Sequence, residues 1–237
     1  MVRVAPALGV HGVNGSNCHD SEVTLTDQPS IKRAVSATAV AVMIGIVLGA
    51  LLIVSRELIG GRPVGFWLEN TGGAMLIAAF LAGLLGRHVA IGAIGGALAL
   101  VIGTVLYDQV YLVTAGTFQI TVFAQIRTVW LGLAVGFGAL FGALGGWWAA
   151  ERRRHWPGLA IAGGAVAGEA LALLVGGLPH DAFRTEVAVV QIAIGIGGAL
   201  IASPGSARVR ATTGAVLVSL GVALVEAWTG VLSSLIW

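Results

Sequence analysis

The sequence predicts an all-α protein, a polytopic transmembrane bundle of about seven spans (six to seven) with tight Gly/Ala-rich packing. Three observations carry this. Of 237 residues, 57% are hydrophobic and only 10% charged, and the mean hydropathy is +0.94. A soluble domain is nearer a quarter charged, so this chain has too few charges to cover a water-facing surface. The apolar residues fall in runs of about 20, the length a helix needs to cross a bilayer core of roughly 30 Å. Glycine is abundant, at 36 residues, without the G-X-Y period of collagen or the polar spacers of low-complexity sequence.

Residues 1–33 mix Gly, Asn, Ser, Asp, His and Pro with no persistent period, which predicts a disordered tail on the cytoplasmic side; a start nearer Lys32 is an alternative. The first apolar run, Ala34–Ser55, is too long and too far into the chain for a signal-peptide core, so it reads as a retained anchor. Six further spans follow at Thr71–Gly86, Val89–Tyr107, Thr128–Ala150, Gly158–Leu178, Val187–Ser203 and Ala211–Leu232. The second and sixth are short. The runs lack the alternation of barrel strands, and lipid offers backbone groups no partners, so helices are expected. Arg87-His88, Glu151–His155 and Ser203–Ser206 are tight polar breaks. The longer stretch Asp108–Arg127 carries Val110, Leu112, Val113, Phe118 and Ile120 and predicts an interfacial helix or a segment folded back on the bundle.

Orientation follows from the cations. Arg3, Lys32, Arg33, Arg87, Arg152, Arg153, Arg154, Arg208 and Arg210 fall on one side, and Arg56, Arg62, Arg127 and Arg184 on the other. The positive-inside rule puts the first group in the cytoplasm, giving a multi-pass inner-membrane protein of a bacterial cell with its N-terminus inside and its C-terminus outside. A C-terminal reporter of the alkaline phosphatase type, active only outside the cytoplasm, is therefore expected to be active. A silent fusion would mean that the span count or the direction is wrong.

In lipid, helices gain by close backbone approach, which small residues four apart permit. Gly45/Gly49, Gly92/Gly96, Gly132/Gly136, Gly164/Gly168 and the longer run Gly138, Gly142, Gly146 are such stripes; the last predicts a central fourth span. Spans three, five and seven share Gly95-Gly96-Ala97, Gly163-Gly164-Ala165 and Thr213-Gly214-Ala215, a faint repeat.

Ionisable groups at membrane depth cost roughly 2.5–3.5 kcal/mol at the centre and mark candidate sites. Glu169 lies about 18 Å along its helix from Pro157, and Glu226 about 22 Å from Ala211. Glu69 and Asp108 sit at the outer ends of spans two and three, with Asn70 beside the first and Gln191 one turn inside span six. The orientation thus gathers Glu169, Asn70, Asp108 and Glu226, together with Gln191, in the outer half. They form the candidate substrate or ion site of a transporter-like module for a small solute, a cation or a proton. A binding site predicts that Glu169 and at least two of the others converge on one cavity. The alternative is a structural or assembly protein without substrate, its glycine stripes holding helices together or joining a second copy or a membrane partner, and its carboxylates satisfied locally. An enzyme is the least supported class, because no activated nucleophile or catalytic fingerprint occurs in its required context. No cofactor is implied. No basic face with interleaved aromatics is present for nucleic acid. A lone Cys18 beside His19 and Asp20 in the polar tail makes no fixed metal site.

The stretch Gly65–Gly177 resembles an uncharacterised family of polytopic membrane proteins of high-GC Gram-positive bacteria, a domain of unknown function. The resemblance rests on Asn70 with the small residues after it, Ala79-Phe80-Leu81-Ala82-Gly83, the glycine-rich third span ending in Tyr107, the run Gly138–Trp148 (GALFGALGGWW), and Gly168-Glu169-Ala170. It implies a membrane topology and no mechanism, and points to Asn70 and Glu169 as the positions to test. The polar tail before Lys32 departs from the family pattern.

Overall fold

A computed structural model of the protein describes residues 31–55, 72–114, 117–150, 156–175 and 184–236, and seven helices follow one another among the described residues. The backbone alone is described for 33, 111–114, 117–126, 175, 184 and 226–236. They are α1 (Ile31–Val54), α2 (Gly73–Leu84), α3 (Val89–Thr114), α4 (Thr117–Ala150), α5 (Trp156–Val175), α6 (Arg184–Ala202) and α7 (Ala207–Ile236). There is no strand among the described residues. All but α2 are long and apolar enough to cross a membrane, and α2 has only 12 residues. Large apolar side chains such as Ile201, Val209 and Leu224 point outward. A soluble protein would bury them; here they meet lipid, and the chain is a polytopic helical membrane protein.

Two local features differ from expectation. The stretch between Asp108 and Arg127 forms no separate interfacial element: α3 runs on to Thr114, and α4 begins at Thr117. Its apolar residues continue two spanning helices, so the backbone groups stay paired within them. The second span is a helix only from Gly73. It ends in a tight turn where the Gly86 N–H donates to the Gly83 carbonyl at 3.1 Å and Arg87 takes φ 46°. A left-handed Arg costs roughly 1–2 kcal/mol relative to Gly. His88 then caps α3, its Nδ1 accepting the Ala90 N–H at 3.3 Å.

Packing is built on glycine. The stripes Gly92/Gly96 of α3 and Gly138/Gly142/Gly146 of α4 lie directly against each other: a Cβ on Gly142 would fall 2.8 Å from Gly96 Cα, and one on Gly138 2.8 Å from Ala97 Cα. Backbones at such range exchange Cα–H···O contacts. On its next face α4 receives α2, with Gly145 against Leu84. In α1, Gly45 and Gly49 admit Ile102 and Leu106 of α3. In α5, Gly164 and Gly168 seat Val218 and Val222 of α7, while Gly163 meets Gly195 of α6. Gly132 and Gly136 depart from this rule. Nothing among the described residues lies within 4 Å of where their Cβ atoms would be, so that pair meets no described helix. The paired glycines differ in reach: Gly95 and Gly96 of α3 face α1, α2 and α4, whereas Gly163 and Gly164 of α5 face α6 and α7.

The helices form two halves. Helices α1 to α4 pack on one another, as do α5 to α7, and among the described residues the two groups meet mainly through α5, which touches α4 and α2. At the end of the junction near the arginine-bearing turns, Trp148 of α4 packs with Leu159, Ala199 and Ala215 of the second half and with Phe80 of α2. The Phe80 and Trp148 ring centroids are 6.1 Å apart, within the range of favourable aromatic pairs.

Candidate functional site

At the opposite end of the junction the contact is polar. Pro157 fits the first turn of α5, and the helix carries Glu169 to a level where α2 begins and α6 has completed its first turns. The Glu169 carboxylate accepts from two donors on different helices. Its Oε1 takes the backbone N–H of Gly72, and its Oε2 takes Gln191 Nε2 at 2.8 Å. Gln191 is fully buried and also donates to the Val166 carbonyl at 2.9 Å.

Glycine makes this meeting sterically possible. A Cβ on Gly73 would lie 2.6 Å from Gln191 Nε2, and one on Gly72 3.2 Å from Glu169 Oε1. The start of α2 also presents orphan N–H groups and the positive end of its dipole, which suits a carboxylate. One acidic side chain therefore joins α2, α5 and α6 across the two halves.

Beside the carboxylate lies a cavity of about 690 Å³, partly open, between the halves. Five helices wall it, among them α2 with Met75, α3 with Thr104, α4 with Phe137 and Phe141, and α7 with Val222. Glu169 is the single ionisable side chain among the described residues that line it. Trp130, Phe137 and Leu140 of α4 and Val225 of α7 line it too and are exposed, so the open side of the cavity is apolar among the described residues.

The other residues singled out from the sequence fall differently. Asp108 does not line the cavity. It is buried on α3 and faces Arg127 of α4, with Oδ2 3.4 Å from Nε and side-chain exposures of 5% and 31%. That pair ties together the two helices on either side of the connection at 115–116. Arg127→Ala is expected to lower the thermal midpoint in detergent more than Asp108→Asn does. The first leaves a buried carboxylate without its cation; the second leaves a guanidinium that reaches the interface. Equal midpoints would remove the pair from the stabilising contacts. Asn70 and Glu69 lie outside the described residues. Glu226 is on α7, immediately after the cavity-lining Val225, and its side chain lies outside the described residues. Among the described residues no three His, Cys, Asp or Glu side chains cluster as metal ligands do.

The Gly72 amide and the aromatic lining of α4 were not among the candidates. A backbone donor leaves no mark in the sequence beyond the Gly-Gly pair, and Phe137 and Phe141 look like ordinary lipid-facing or core residues until the halves are placed. No family model, curated protein or solved structure matches the chain. The functional reading rests on the site alone.

Proposed function

We infer that the protein is a transporter-like membrane module that takes a small solute, a cation or a proton at Glu169, on the outward side of the bilayer. One observation carries this reading: the carboxylate borders a cavity large enough for a small molecule at the joint between two weakly connected halves. Transport sites lie at such joints, where one bundle can rock against the other, and an intramembrane carboxylate is a default carrier of cations or protons. The distribution of arginines supports an inner-membrane location with the N-terminus inside and the C-terminus outside. The resemblance to the high-GC Gram-positive membrane family is part of this proposal and adds no activity to it.

Reconstitution tests it. Phosphatidylcholine vesicles with a trapped pH dye, an imposed pH gradient and valinomycin with potassium should lose the gradient faster with the wild-type chain than without protein. Glu169→Gln should return the rate to that of empty vesicles. A wild-type rate equal to that of empty vesicles would refute proton carriage, and a Glu169→Gln rate equal to wild type would refute Glu169 as the carrying group. A second reading has its own support. Both carboxylate oxygens accept bonds from neighbouring helices, as a purely structural staple would. It predicts that Glu169→Gln lowers stability and that no flux accompanies the wild-type protein.

A further inference from the structure

We propose that the cavity beside Glu169 binds an amphipathic organic cation, a molecule with one positively charged head and an apolar body, which enters sideways from the bilayer. This rests on the reading of Glu169 as a binding group and names the substrate class for it. The lining decides the class. One carboxylate at the Gly72 end matches one positive charge, and the remaining wall is apolar, with aromatic rings from Trp130, Phe137 and Phe141. Aromatic faces favour cations electrostatically and apolar bodies by burial.

The alternatives fit less well. A hard metal ion needs roughly six oxygen ligands, and beyond Glu169 the described lining offers the Thr104 hydroxyl as its other side-chain oxygen. A proton needs the carboxylate and no cavity of about 690 Å³. An anion would be repelled by the Glu169 carboxylate. The volume lies within the 300–1,000 Å³ range usual for small-molecule sites. Entry follows from the apolar open side at α4 and α7, where an amphipathic cation already concentrates.

The test is binding, measured on the full chain in phosphatidylcholine nanodiscs with two isosteric probes of opposite charge, tetraphenylphosphonium and tetraphenylborate. Wild type should bind the phosphonium saturably and at least tenfold more tightly than the borate. Glu169→Gln should weaken the phosphonium at least tenfold and leave the borate unchanged or tighter. Ala165→Trp fills the cavity one turn from an intact Glu169 and should abolish binding of both probes. Equal binding of the two probes to wild type would make the cavity an apolar slot for lipid and overturn the proposal, as would absent phosphonium binding or an unaltered affinity in Glu169→Gln. If Glu169→Gln is not recovered folded, the charge comparison on wild type and the Ala165→Trp result decide. Charge-selective binding without proton flux in the vesicles would sustain this proposal and refute proton carriage. Flux lost in Glu169→Gln without phosphonium binding would do the reverse.

Discussion

Gly142→Leu is expected to abolish recovery of a monodisperse protein from detergent extracts. The position sits where α3 and α4 cross backbone to backbone. Even a methyl group there would collide with the Gly92 carbonyl and lie 2.8 Å from Gly96 Cα, and these are main-chain atoms that cannot rotate away. Overpacking in a core with flexible neighbours costs about 1–3 kcal/mol, and a rigid neighbour raises that cost. Gly136 lies on the same helix and carries the same residue type, yet among the described residues nothing lies within 4 Å of its Cβ position. Gly136→Ala should therefore leave the thermal midpoint unchanged or raise it, by up to about 1 kcal/mol of helix propensity. Size-exclusion profiles and thermal melts of the two variants check both halves of the expectation. If Gly142→Leu proves as well behaved as Gly136→Ala, the crossing is wrong.

Glu169→Gln should cost roughly 1–3 kcal/mol of stability besides its effect on flux. Two donors, the Gly72 N–H and Gln191 Nε2, converge on the carboxylate. A carboxamide offers one oxygen and one NH₂, so one donor is left facing another donor, with a penalty of that size when buried. Gln191→Leu separates the two roles. It removes a donor and keeps the carboxylate beside the cavity, so it should lower the midpoint while leaving part of the flux. Flux lost to the same degree in both variants would mean that Glu169 acts only as a fastener.

Much of the fold could be read from the sequence because lipid simplifies the rules. A helix of about 20 apolar residues is nearly obligatory wherever such a run occurs, and Arg87 and Pro204 mark breaks that composition alone reveals. The stripes Gly92/Gly96 and Gly138/Gly142/Gly146 were visible as surfaces for close approach. That they meet each other within one chain was not, because four-residue spacing names a face and not its partner. Gly132/Gly136 has the same spacing and meets nothing among the described residues, which shows the limit of the pattern. The division into two halves left no sequence signal, since it depends on which faces stay unpaired. At the site, helical rise placed Glu169 and Gln191 at similar depth, whereas Asp108 was drawn off by Arg127, a cation predicted as a topology marker. Converging side chains were expected; the second donor is instead a backbone amide, which every residue but proline possesses and no pattern distinguishes.

The hydrogen bond from Gly72 to Glu169 gives the carboxylate two masters. It closes the first helical group onto the second, and it faces the space where a guest would sit. A guest that draws this oxygen away from α2 slackens the seam, and thermodynamic reciprocity then requires that tightening the seam expel the guest by the same factor. Occupancy and opening would be two readings of one equilibrium, set by which partner the same oxygen prefers.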